Sequence, residues 1–380
     1  MILMLNIIIL LFIITTLSNS NSFGFNIIKE DSVTSATFSF VGDLMCHSSQ
    51  FNFAKNDSGF NFDPVYKYVK NYLSESDLTI GNLETVLGGD SVKYRGYPLF
   101  NTPDEYISAL KNSGFDMLIT ANNHALDLGQ YGLERTIKKI SENGLMYSGT
   151  FINEDDRDSI KILNINGIKT SILSYTFGTN GNYLPKDNSY MINRIEFEFI
   201  KEDIYLTQRK SAELIIVYLH FGDEYSRTPN NYQNQVVDSC IKYGANIIIG
   251  SHPHVVQTKK VFKSENGNIF VAYSLGNFIS NQRGRYSNGG VILKLKAEKN
   301  LNTNKISVSL VDYLPTYVFK GKTKTKNEFI IVPNTYYLTS PVHQFFNDST
   351  YTEMFESFND TKSILTEVQN KQISTKILTK

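Results

Sequence analysis

Five of the chain's six histidines share one kind of setting. His47, His124, His220, His252 and His254 each follow a short apolar or β-branched run and lie within a few residues of Gly, Asp, Asn or Glu. Imidazole nitrogen beside carboxylate and amide oxygen is a donor set for a transition metal. Histidines scattered over a solvated surface would not repeat this pattern in four distant segments. The expectation is one shared metal site, assembled where strands give way to loops.

The segments can be read one by one. Phe40-Val41-Gly42-Asp43 ends a strand on a carboxylate, which makes Asp43 a natural ligand at the carboxyl end of an α/β sheet. Ile80-Gly81-Asn82-Leu83-Glu84 repeats the arrangement with two oxygen donors, Asn82 and Glu84. Asn122-Asn123-His124 follows a third strand directly; an Asn pair is also a common turn, since Asn tolerates left-handed backbone. His220 closes the apolar run 214–219, as a core residue or as a ligand, and leads into Gly222-Asp223-Glu224-Tyr225. His252-Pro253-His254 is the most specific signal, because two imidazoles flank a proline that stiffens the turn between them. Tyr273-Ser274-Leu275-Gly276-Asn277 ends another strand and places Asn277 on the site floor or against substrate. Asn122, Glu224, Tyr225 and Asn180 are further candidates for substrate contact, and His47 for the rim.

Candidate donors in these segments are the oxygens of Asp43, Asn82 and Glu84, an amide oxygen of the Asn122-Asn123 pair, and the imidazoles of His220, His252 and His254; a histidine beside an Asn ligand, as His124 is, can act as a general acid. Imidazole argues against a site for Mg²⁺ or Ca²⁺ alone and suits Zn²⁺, Mn²⁺ or Fe. The donors suffice for two divalent ions about 3.5–4 Å apart, the arrangement of metal-assisted hydrolysis.

The elements that must carry these residues alternate along the chain. Strand-like runs at 36–41, 78–80, 115–120, 168–175, 214–219, 245–249 and 269–274 are separated by helical patterns at 65–73, 104–112, 131–143 and 231–243. Gly144 and Gly244 stop the last two. Continuous apolar strands alternating with helices predict an α/β fold whose sheet is buried on both faces. Beyond residue 281 the pattern becomes antiparallel, at 290–296, 305–313 and 329–332, with 297–304 as a polar turn. Residues 342–380 read as a polar, helical tail without a strong apolar stripe, and 180–190 as a loop. The domain boundaries predicted are 36–281 for the site-bearing domain, 282–341 for strands packed on it, and 342–380 for the tail.

Lys plus Arg equals Asp plus Glu, 37 against 37, so no net charge steers the chain toward nucleic acid or an anionic surface. Cys46 and Cys240 make no disulfide framework; a single bridge or two buried thiols are the alternatives. Residues 2–14 are apolar except Asn6, short of the about 20 residues a membrane span needs. Residues 1–22 thus read as a signal peptide, or as a retained anchor, and predict an exported protein at the cell surface or tethered to the membrane.

In combination, Gly-Asp-Leu-Met (42–45), Gly-Asn-Leu-Glu-Thr (81–85), Ala-Asn-Asn-His-Ala-Leu-Asp-Leu-Gly (121–129), His-Phe-Gly-Asp-Glu-Tyr (220–225), Gly-Ser-His-Pro-His (250–254) and Tyr-Ser-Leu-Gly-Asn-Phe (273–278) resemble the CapA, or poly-γ-glutamate capsule synthesis protein, family. The resemblance covers residues 37–280 and includes 174–181. Phe221 departs from it, since the family usually carries Trp after that histidine. The family is similar in fold to calcineurin-like metallophosphoesterases, which implies a layered α/β sandwich with mixed sheets and a metal site at the strand ends. Carried over, Asp43 matches the first aspartate ligand, and Asn82 or Glu84 the bridging position. Asn123 and His124 match the ligand and acid pair, His220 the isolated histidine, and His252 with His254 the closing pair. Ser251 is an insertion between Gly250 and His252.

The resemblance implies a role in making poly-γ-glutamate or another envelope polymer, by hydrolysis of a phosphoester or amide bond. The polymer and a membrane synthase complex are the expected partners, and nucleic acid is not. A tethered accessory subunit that binds polymer or synthase without catalysis is the alternative.

Overall fold

The computed structural model describes residues 32–323, 326–336, 346–366 and 369–372. The apolar stretch within 1–22 and His343 lie outside them. Among the described residues no helix is long and apolar enough to cross a membrane.

Two large sheets carry the fold. In chain order the strands are β1 (Val33–Leu44), β2 (Leu78–Leu83), β3 (Met117–Ile119), β4 (Met146–Ser148), β5 (Leu163–Ile165), β6 (Ile168–Thr176), β7 (Leu214–His220) and β8 (Ile247–Ser251). They continue as β9 (Lys259–Ser264), β10 (Gly267–Ala272), β11 (Asn277–Ile279), β12 (Gly289–Asn300), β13 (Ile306–Lys322), β14 (Asn327–Pro333) and β15 (Gln369–Gln372). The first sheet has the order β14-β13-β12-β1-β2-β3-β4, with β11 also paired to β1. The second has the order β15-β9-β10-β8-β7-β6-β5. Both are mixed. β1 to β4 run parallel to one another, as do β6, β7, β8 and β10, while β12, β13 and β14 extend the first sheet antiparallel.

The two sheets face each other. Phe38, Phe40, Ile80 and Ile119 of the first pack against Ile172, Ile216, Tyr218 and Ile249 of the second. The principal helices are α1 (Glu105–Asn112), α2 (Gly129–Glu142), α3 (Phe197–Arg209), α4 (Asn231–Tyr243) and α5 (Asp348–Thr366). On the outer side of the first sheet, Tyr106, Ile107 and Leu110 of α1 pack with Leu118. On the outer side of the second, Ile200 and Ile204 of α3 and Val236, Val237 and Cys240 of α4 cover Val217, Leu219 and Ile248. The result is the layered α/β sandwich that the family resemblance implies, helix–sheet–sheet–helix, and it explains the near-continuous apolar runs of the inner strands.

Several local expectations need correction. The helical pattern over 65–73 is broken into Asp63–Tyr66 and Lys70–Ser74. The polar stretch 297–304 is not all turn, because β12 continues to Asn300. The C-terminal helix α5 does carry an apolar stripe: Met354, Phe358 and Leu365 are buried at helical spacing among shorter polar residues that mask it. Cys46 and Cys240 are both buried and unbridged.

Candidate metal centre

Parallel strands deliver their carboxyl ends to one place. Asp43 at the end of β1 sits in register with Asn82 on β2, and Asn82 with Ile119, the last residue of β3. In the second sheet, His220 ends β7 in register with Ser251 on one side and Thr176 on the other. Two glycines let these ends close. A Cβ on Gly42 would lie 1.9 Å from the carbonyl oxygen of Gly276, and one on Gly250 would lie 1.9 Å from that of Tyr273. Both positions need glycine because backbone comes where a side chain would stand. A single hydroxyl links the two sheets beneath the site: Tyr218 donates to the Val41 carbonyl at 2.8 Å and accepts from Ser251 Oγ at 2.9 Å. The inserted serine thereby ties the His252–His254 turn to the carboxyl-terminal part of β1.

Asp43, Asn82, Glu84, Asn123, His220, His252 and His254 are brought together, all buried. His254 Nδ1 donates to Asp43 Oδ2 at 3.0 Å. Asn82 Nδ2 donates to Asp43 Oδ1 at 2.8 Å and lies 3.3 Å from both Glu84 Oε2 and His220 Nδ1. His220 Nε2 meets Asn123 Oδ1 at 2.8 Å. Asn180 Oδ1 accepts from Asn123 Nδ2 at 3.2 Å, which turns the Asn123 oxygen toward His220. Glu84 Oε1 stands 3.7 Å from His254 Nε2 and 3.9 Å from His220 Nε2, and has no hydrogen-bond partner. His252 Nδ1 is likewise buried without one. His252 and His254 hold backbone φ of 97° and 58°, in the left-handed region, where strain tends to mark functional turns.

Electrostatics describe a site short of positive charge. Burial drives the Glu84 carboxyl well above its ordinary value, and the Asp43 charge adds to it. Burial acts the same way on Asp43, but the His254 hydrogen bond and charge, then the Asn82 hydrogen bond, outweigh it and hold the carboxyl low. Burial pushes His252 down to about 3 and His220 well below the imidazole range, so both are neutral donors. Two facing carboxylates, neutral imidazoles and orphaned Glu84 and His252 atoms fit a divalent cation. Two donor groups share one residue: Asp43, Glu84 and His254, and Glu84, His220 and His252. Glu84 belongs to both groups, and the Asn82 amide lies against Asp43, Glu84 and His220.

The remaining candidates divide. His124 Nδ1 donates to Asp127 Oδ2 at 2.8 Å, and the Phe100 N–H donates to the same oxygen at 2.7 Å. The Phe100 ring meets His124 edge-on at 4.7 Å. Asp127 went unassigned in the sequence, although its spacing of three from His124 was a usable signal. Asn122 is spent on structure, donating to Leu83 O at 2.7 Å and Asn82 Oδ1 at 3.2 Å while accepting from the His124 N–H. Asn277 is buried and donates to Ser287 O and Gln282 Oε1. His47 joins none of the donor groups; its Nδ1 accepts from the Asn281 N–H, and burial lowers it to about 4. Glu224 is exposed but reaches His252 and His254 as a third donor group. Tyr225 is exposed with its ring 6.0 Å from that of His254. Phe177 is a further neighbour the sequence did not single out, with its ring 4.5 Å from that of His252.

A family model described as bacterial capsule synthesis protein PGA_cap matches residues 37–282. The capsule biosynthesis protein CapA of Bacillus anthracis is 30% identical over 295 residues, which cover 76% of this chain and 69% of the relative. The PGA biosynthesis protein CapA of Bacillus subtilis (strain 168) is 29% identical over 302 residues, 78% of this chain and 77% of the relative. Among solved structures, a phosphatase from Mycoplasma pneumoniae aligns at 16% identity and a TM-score of 0.44, over 83% of this chain and 100% of its own.

Proposed function

This chain belongs to the bacterial capsule synthesis protein family, and we propose that it is a metal-dependent hydrolase serving production of a capsule or other envelope polymer. The observation that carries this reading is the Glu84 Oε1 atom, buried without a partner between His220 Nε2 and His254 Nε2. An unsatisfied buried carboxyl oxygen facing two imidazole nitrogens is costly unless a cation joins it.

Asp43, Glu84 and His254 would hold one divalent ion, and Glu84, His220, His252 and Asn123 a second, with Zn, Mn or Fe suited to the donors. When bound, such ions supply Lewis-acid polarisation and activation of water. The chain's own residues do the rest. His124, fixed through Nδ1 by Asp127, has Nε2 available to pass a proton to the leaving group. The Phe100 N–H on Asp127 keeps that carboxylate oriented, and the Phe100 ring limits how far the imidazole can turn. Asn180 fixes the direction of the Asn123 oxygen. The bond broken is a phosphoester or an amide.

The names of the relatives, capsule and PGA biosynthesis, support poly-γ-glutamate or a comparable envelope polymer as the pathway served. We place the site-bearing domain outside the cytoplasmic membrane on the strength of the apolar residues 2–14, with the polymer and a membrane synthase complex as partners. Metal analysis of the purified protein, followed by a screen of phosphoesters and γ-glutamyl peptides, tests the reading. Hydrolysis that is lost in His252→Ala supports it. A metal-free protein whose His252→Ala variant sustains normal polymer production defeats it.

A further inference from the structure

Aromatic and acidic side chains adjoin the donor cluster. Tyr225 leaves 54% of its surface in water, and Phe177 leaves 38%. Both rings stand against the outermost imidazoles, Phe177 on His252 at 4.5 Å and Tyr225 on His254 at 6.0 Å. Single exposed aromatics need no explanation, but here two stand on the two histidines of one turn. Tyr225 is held there at some cost: its φ is 63°, and its N–H donates to Pro253 O at 2.8 Å. Strained backbone of this kind is concentrated at ligand clamps. An exposed carboxylate, Glu224, also reaches the two histidines, with exposed Asp223 beside it in the chain.

We propose that the site takes a phosphorylated pyranose. This rests on the metal-dependent phosphoester reading above. The phosphate lies at the donor cluster, the sugar ring packs against Tyr225 and Phe177, and Glu224 accepts hydrogen bonds from ring hydroxyls. Aromatic faces attract the C–H face of a sugar, and a carboxylate accepts strongly from its hydroxyls. A stretch of free polyglutamate has no ring to stack and would meet Glu224 and Asp223 as like charges. In the step itself, a water oxygen bonds to phosphorus and releases a proton to solvent, the bond from phosphorus to the sugar oxygen breaks, and that oxygen takes a proton from His124, which regains one from solvent.

The test is calorimetric binding to the full-length, zinc-loaded protein, with glucose 1-phosphate, glycerol 3-phosphate, AMP and a γ-glutamyl dipeptide as probes, and hydrolysis assayed in parallel. Glucose 1-phosphate is expected to bind roughly tenfold more tightly than glycerol 3-phosphate. Tyr225→Ala and Phe177→Ala bring that ratio toward one, and Tyr225→Phe, which keeps the ring, retains it. Equal binding of the two esters, a ratio unmoved in Tyr225→Ala, no binding of either ester, or tighter binding of AMP or the dipeptide overturns the proposal. If the ratio holds but no ester is cleaved, the hydrolase reading falls and the ligand class stands. If esters are cleaved without ring preference, the reverse follows.

Discussion

Glu84 Oε1 lies 3.7 Å from Nε2 of His254, too far for a hydrogen bond, with no hydrogen-bonding partner in the space between. The same oxygen is 3.9 Å from His220 Nε2. The two donor groups meet at this atom, so its removal distinguishes a shared metal position from a structural carboxylate.

Glu84→Gln is expected to lower metal affinity by more than the roughly 10- to 100-fold typical of an outer partner. In chelator the sign reverses. The substitution removes one of two facing buried carboxylates, so the metal-free variant melts at or above the wild type, by roughly 2–4 °C. Calorimetric titration and thermal melts with and without chelator read both effects.

His124→Ala is expected to cut turnover by about 10²–10⁴ while leaving metal content intact. Asp127→Asn removes the acceptor that fixes the imidazole through Nδ1, at 2.8 Å in the native protein. Its loss appears in kcat and in the pH profile rather than in metal content, measured by steady-state kinetics against the metal-to-protein ratio.

Gly42→Ala forces a Cβ to within 1.9 Å of the Gly276 carbonyl oxygen. Backbone there cannot yield as a flexible side chain would, so a destabilisation of about 3 kcal/mol is expected. Urea unfolding measures it. An unchanged midpoint would mean that β1 and the Gly276 turn are less tightly apposed than described.

The legibility of the site followed the chemistry. Strand ends that close on a donor were readable at Asp43, His220 and the His252 turn because the inner strands read as near-continuous apolar runs. What could not be read is what depends on register between distant segments. The Glu84 oxygen that faces both His220 and His254, the Asn180 contact that aims Asn123, and the Tyr218 bridge to Val41 are all of this kind. Asn277 stands beside Asp43 in the sheet, as expected of the site floor, while its amide N–H donates to its own loop at Ser287. In the tail, Met354 and Phe358 at helical spacing were outweighed by surrounding polar residues.

Burial lifts Cys46 and Cys240 from the ordinary thiol value of 9.0 to about 12. The folded state thus retains each proton. The contribution to stability is fully present below 9 and is lost as pH rises toward 12. At pH 8 neither thiol should react with iodoacetamide in the native protein, and both should react in urea, as mass spectrometry would show.

The central claim is that Asp43, Glu84, His220, His252 and His254 form a divalent metal site. Elemental analysis of the purified protein after dialysis, beside Glu84→Gln and His252→Ala, tests it most directly. The account predicts stoichiometric zinc, manganese or iron in the wild type and a clear loss in both variants. Wild-type protein that stays metal-free after incubation with each of these ions, with melting temperature unmoved, would contradict it.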